Sequence, residues 1–288
     1  MKIFLSLLLV LSFLNAKYLK TNLFFIDKNG KKTENIGVRG KISVLEIESD
    51  LKNIKVKDSK REYPVIKLSR HRFVSFIPVK YRENKKSKVL KIGSGNLQKL
   101  IKMKIKKGVY KKEFLKVSPK KVHLNERDRK RASLEYKEAM KIYSTFTPKK
   151  LWKGKFILPI RSLITSAFGN ARVFNNQLKS YHGGVDFRAK EGTKIRASND
   201  GKVVLAKNRF YAGNSVIINH GLGIYTGYYH LSEFKVKRGE KVKKGEVIGL
   251  SGKTGRVTGA HLHFSMRINK IAVDPLQAIK TINYALAK

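Results

Sequence analysis

Five side chains between positions 182 and 263 have the types and spacings of a metal site: His182, Asp186, His230, His261 and His263. Side chains two or four places apart in a β-strand point to the same face. His182 with Asp186, and His261 with His263, can therefore each present a pair of ligands to one spot. Imidazole and carboxylate together suit zinc. A catalytic zinc takes three protein ligands and keeps a fourth position for water, whose pKa it lowers towards about 7 while polarising a carbonyl. Five candidates thus leave two side chains for proton transfer and oxyanion stabilisation. Spacing alone leaves open which three hold the metal.

Composition narrows the setting. The chain has 288 residues, 41% of them hydrophobic, enough for real cores in two or three domains. It contains no cysteine. Disulfides, thiolate clusters and cysteine nucleophiles are excluded, and histidine and carboxylate remain as the metal ligands on offer. Sixty-four Lys and Arg against twenty Asp and Glu give a formal charge of +44, a field that favours anionic partners. At the N-terminus, Lys2 precedes an apolar run from Ile3 to Leu14, and small residues end in Ala16. This reads as a secretory signal peptide, residues 1–16, since twelve apolar residues cannot cross a core that needs roughly 20. A periplasmic protein, not integral to the membrane once the signal is cut, is expected. Its polyanions would then be envelope polymers rather than nucleic acid.

The elements that must position the site read as mainly β. Over residues 17–110, short runs rich in β-branched and aromatic residues predict strands at Leu23–Asp27, Lys41–Ile47, Val65–Leu68, Phe73–Val79 and Val89–Ile92, in one or two small β modules. His71, between two arginines there, reads as a surface residue. Residues 111–150 read as a linker. Within it, Asn125 as cap and Ala132, Tyr136, Ala139, Met140 and Tyr143 at helical spacing predict an amphipathic helix, with His123 just before it. From 151 to 288 the chain is dense in glycine and β-formers, with strands at Gly201–Leu205, Ser215–Asn219 and Glu246–Leu250. An antiparallel sheet and a C-terminal helix over Pro275–Ala287 are predicted.

The words around the five residues say more than their spacing. Ser166-Ala-Phe-Gly169, Tyr181-His-Gly-Gly-Val-Asp-Phe187, Gly213-Asn-Ser-Val-Ile-Ile-Asn-His-Gly221, Tyr229-His-Leu-Ser232 and Gly252-Lys-Thr-Gly-Arg-Val-Thr-Gly-Ala-His-Leu-His-Phe264 follow in order. Together they resemble the lysostaphin-type zinc endopeptidases that cut bacterial peptidoglycan, over about residues 154–276. The resemblance implies zinc held by His182, Asp186 and His263, with His261 as general base and His230 orienting the water or stabilising the oxyanion. It gives His220 no metal role, and places Asn214 and Tyr229 along the substrate groove. Two departures stand out: Ser265 where an acidic residue is frequent, and Arg172 one place later than in Phe-Gly-x-Arg. Neither is expected to touch a ligand, so both are expected to bear on groove shape and substrate choice rather than on whether zinc is held.

The implied function is zinc-dependent hydrolysis of peptidoglycan stem peptides by a monomer. The bond expected is the D-alanyl–diaminopimelate cross-link, with carboxypeptidase trimming as an accompanying activity. The alternative is a non-catalytic wall-binding regulator of other hydrolases, and the complete set of five residues argues against it. The β-modules-plus-peptidase layout resembles the shape-determining peptidoglycan peptidases of helical Gram-negative bacteria. Residues 17–110 are expected either to limit access to the groove or to position the enzyme in the wall.

Overall fold

The structure, a computed structural model, describes residues 17–115, 124–174 and 178–287. The expected signal peptide and His123 lie outside these residues. Among the described residues the chain is mostly strand, with two helices: α1, Glu126–Ser144, and α2, Pro275–Leu286. The pairing is antiparallel except for two parallel pairs.

Two five-stranded sheets make up the N-terminal half. In the first, Leu19–Ile26 and Arg72–Pro78 flank Ile42–Ser49. These strands carry near-continuous apolar runs because both of their faces are covered. Leu23, Leu45, Ile47 and Ile77 face the second sheet and pack with Val56, Leu90, Ile92 and Met103. The alternate residues Phe24, Ile26, Ile42, Val44, Val74 and Phe76 belong to the core cluster that also holds Ala278, Ile279 and Ile282 of α2. Gln277 of α2 is buried there. Its side-chain oxygen accepts from Ile42 N at 3.0 Å, and its amide nitrogen donates to the carbonyls of Ile26 and Ile42 at 3.2 and 3.0 Å. The C-terminal helix thus bonds to the first sheet as a further strand would.

The same cluster runs on into a ten-stranded sheet in the C-terminal half, through Val185, Phe187, Val216, Ile218, Leu262, Phe264 and Met266. Its central order is Val185–Arg188, His261–Ile268, Ile224–Phe234, Gly213–Gly221 and Gly201–Arg209. One face of these strands supplies the core and the other carries the candidate site. Helix α1 begins at Asn125, whose side chain accepts from Asp128 N at 2.8 Å. It lays Ala139 and Tyr143 against Leu205, Ile217 and Tyr225. The stretch read as a linker also forms a strand, Lys112–Leu115, parallel to Ala171–Phe174.

Candidate metal centre and active-site cavity

Register brings the separated words together. Asp186 pairs with His263 and Arg188 with His261, while Tyr229 pairs with His263 from the other side. Because alternate residues share a face, His261, His263, Ser265 and Arg267 line one side of their strand beside Asp186. Close approach at this crossing demands Gly184. A Cβ there would collide with the carbonyl oxygen of Phe264 and come within 2.7 Å of His263 Nε2.

Three ligand atoms meet. His182 Nε2 lies 2.9 Å from Asp186 Oδ1 and 2.9 Å from His263 Nδ1, and His263 Nδ1 lies 2.7 Å from Asp186 Oδ1. His182 Nδ1 sits 2.9 Å from the carbonyl of Ala167, which can only accept, so Nδ1 carries the proton and Nε2 presents a lone pair. A lone pair, a ring nitrogen and a carboxylate oxygen this close need a cation or shared protons between them. Zinc bonds of about 2.0–2.1 Å in a tetrahedron give edges of roughly 3.3 Å, a few tenths wider than this triangle. The donor set fits the ion.

Electrostatics agree. Burial pushes the Asp186 carboxyl up, but the close approach of His182 and His263 to Oδ1 outweighs it and holds the carboxyl well below the usual range. Burial, working against the pull of Asp186, pushes His263 down to about 4. His230 is pushed down to about 3 by burial and by the neighbouring His263 and His261.

His230 and His261 stand beside this group with ring centroids 4.8 Å apart. His261 Nδ1 lies 2.9 Å from Gly259 O, and His230 Nδ1 lies 2.8 Å from Thr254 O. Each Nδ1 therefore donates, and each Nε2 is left as an acceptor. His261 Nε2 is 3.8 Å from Asp186 Oδ1. His230 holds a left-handed backbone conformation, φ 62°, which costs a non-glycine residue on the order of 1 kcal/mol. The strand irregularity at this point turns its ring towards the other histidines.

A cavity of about 890 Å³ opens over the group. Tyr136, Ala139, Met140 and Tyr143 of α1 form part of its wall. Tyr229 lines it too, with its ring 5.3 Å from that of His263 and its hydroxyl 3.0 Å from Tyr143 Oη and 3.1 Å from Ser265 Oγ. Asn214 is not among the lining residues; its side chain bonds Asn208 and the carbonyl of Ser232. His220 stands apart, fully buried, with Nδ1 2.8 Å from Asp200 O and Nε2 2.8 Å from Thr226 Oγ1.

Arg172 corrects the sequence expectation. Its Nη2 donates to Asp186 Oδ2 at 3.0 Å, so the residue touches the metal group itself. The Ala171–Phe174 strand pairs with Leu178–Tyr181, which runs directly into His182, and this hairpin returns Arg172 to Asp186. Glu113, which carries no motif, lies across the Arg172 guanidinium at 3.3 Å. Only the parallel pairing of its strand brings it there.

The profile of Peptidase family M23 matches residues 180–275. The chain carries an M23 peptidase domain. That domain is 48% identical over 97 residues to peptidoglycan DD-endopeptidase ShyA of Vibrio cholerae, covering 34% of this chain and 23% of that one. It is 46% identical over 95 residues to DD-carboxypeptidase/endopeptidase Mpg of Neisseria meningitidis, covering 33% and 22%. The match spans less than a quarter of the length of these curated relatives. The crystal structure of a Pseudomonas aeruginosa protein assigned to peptidase M23 aligns over 85% of this chain and 95% of its own, with a TM-score of 0.69 at 24% identity. The fold therefore extends beyond the M23 domain to most of the chain. His182, Asp186, His230, His261 and His263 all lie within the matched segment; Glu113, Ser166 and Arg172 lie outside it.

Proposed function

We propose that this chain is a zinc peptidase that hydrolyses peptide cross-links of bacterial peptidoglycan, with the D-alanyl–diaminopimelate bond as its substrate and terminal D-alanine trimming as a second activity. The observation that carries the reading is the meeting of His182 Nε2, Asp186 Oδ1 and His263 Nδ1 under a cavity that also holds His230 and His261. The names of the M23 relatives support the substrate.

His182, Asp186 and His263 would hold the zinc. When bound, the ion polarises the scissile carbonyl and makes water a nucleophile near neutral pH. His261 takes the proton of the attacking water at Nε2, because its Nδ1–H is committed to Gly259. His230 is neutral with an acceptor at Nε2, which suits it to orient that water by accepting from it. A neutral ring in that tautomer has no proton to give to an oxyanion. Arg188, Arg209, Arg256 and Arg267 border the cavity, while its two carboxylates, Glu113 and Asp186, are held by Arg172. The surplus of positive charge matches a stem peptide whose diaminopimelate and terminal D-alanine carry carboxylates.

Residues 17–110 form the N-terminal modules of this reading, 111–150 the connection and 151–288 the peptidase domain. Among the described residues no helix is long and apolar enough to cross a membrane. Export to the periplasm, as a monomer acting on the wall in cell-shape remodelling, completes the proposal. Digestion of purified sacculi followed by mass identification of the released muropeptides tests it. Cross-linked dimers should disappear with the wild type and persist with His261→Ala; persistence with zinc-loaded wild type overturns the reading.

A further inference from the structure

The carboxylate of Glu113 is surrounded by donors from the metal group's own support. Its Oε1 accepts from Asn170 Nδ2 at 2.6 Å and from Ser166 Oγ at 2.9 Å, and its Oε2 accepts from Arg172 Nε at 3.3 Å. Arg172 then reaches Asp186 Oδ2 with Nη2 at 3.0 Å, leaving Oδ1 turned to the two histidines. Ser166 Oγ, besides bonding Glu113, lies 2.9 Å from His182 Nδ1. Two of the three meeting residues thus connect to Glu113 through one intervening side chain each. Unlike them, Glu113 comes from the Lys112–Leu115 strand, far outside the segment matched to the M23 profile.

The charges explain why such a group belongs there. A guanidinium bonded to one oxygen of a ligating carboxylate orients it, but also repels a dication held by the other oxygen. A carboxylate on the far side of the guanidinium cancels most of that repulsion and fixes the fork in place. We propose that Glu113 is a positioning residue of the metal centre, acting through Arg172 to hold Asp186 with Oδ1 presented to the ion. The inference rests on the zinc reading above.

The test is zinc affinity of the full chain, measured by competition with a chromophoric chelator. Glu113→Gln keeps the shape and removes the charge. In the wild-type background it should weaken zinc binding about tenfold, the low end of the range for groups that touch a metal ligand directly, because Glu113 acts one side chain further out. In an Arg172→Gln background the same change should cost less than about threefold, because coupled residues are not additive. Unchanged affinity in Glu113→Gln overturns the proposal, as does an equal loss in both backgrounds, which would mean that Glu113 merely braces the hairpin. Should Glu113→Gln fail to fold, Arg172→Lys replaces it. It keeps the charge and loses the fork, so about tenfold weaker binding is expected and unchanged affinity overturns the proposal. Wild-type protein that binds no zinc would instead remove the parent reading.

Discussion

His220 offers a test of the site's sorting of histidines that needs no substrate. Both its nitrogens are bonded inside the sheet and burial pushes its pKa down to about 4, against 6.5 when exposed. The folded state therefore binds fewer protons at this residue than the unfolded state between those values, and stability falls as pH falls through that window. Linkage with these two values gives a loss of about 2 kcal/mol between pH 7 and pH 5, and about 3 kcal/mol by pH 4. Urea unfolding at pH 7, 6 and 5 in the presence of chelator measures it. His220→Gln lowers stability at every pH, because a buried pair of hydrogen bonds is disturbed. The prediction concerns the slope: the variant should lose about 2 kcal/mol less than the wild type between pH 7 and 5. His230 and His263 contribute equally to both proteins and cancel in the difference. Parallel stability curves, within about 0.5 kcal/mol of each other, would refute the assignment of His220 as a neutral, bonded core residue.

Three further outcomes follow from the site. Zinc at about a thousand times its dissociation constant should stabilise the wild type by roughly 4 kcal/mol in thermal unfolding; His263→Ala should abolish this rise, whereas His261→Ala should keep it and lose turnover about 10²- to 10⁴-fold. Gly184→Ala, which would drive a methyl into the carbonyl of Phe264, should cost roughly 1–3 kcal/mol in urea unfolding and weaken zinc binding as the two ligand strands separate. Arg267→Gln removes a guanidinium that rests 4.6 Å over the Tyr143 ring at the cavity wall; KM for stem peptides with free carboxylates should rise about tenfold, a binding loss of about 1.4 kcal/mol, and KM for amidated peptides should rise less.

Which parts of this were legible depended on whether local pattern or long-range pairing set them. Asn125 and the spacing through Tyr143 give helix α1 from sequence because capping and periodicity are local. Of the five strand segments expected in the N-terminal half, Leu23–Asp27, Lys41–Ile47 and Phe73–Val79 are visible because two-sided burial leaves near-continuous apolar runs, whereas Val65–Leu68 and Val89–Ile92 show only as short β-branched runs with one face exposed. The Leu97–Lys106 strand is not among those expected: lysines alternate with Ile101, Met103 and Ile105 at the strand period, but only Met103 is buried. At the site, spacing foretold that two pairs of side chains could share a face. It could not foretell that Arg172 would return across a hairpin to Asp186, nor that Glu113 would arrive by a parallel pairing 59 residues away in sequence. Such contacts are fixed by register, which no local pattern encodes.

The same register argument bears on what the N-terminal half does. A detachable lid would meet the peptidase domain over a polar, separable interface. Here Phe24, Ile42 and Phe76 share a core with Ile279 and Ile282 of α2, and Gln277 takes up backbone groups of Ile26 and Ile42. Tyr81 stacks at 4.0 Å on Tyr181, the residue before His182, and its hydroxyl donates to Gly169 O at 2.8 Å. Removing residues 17–110 would expose this apolar face of α2 and free the hairpin that carries Tyr181 into the metal group. A gate that opened by leaving would take part of the site's support with it.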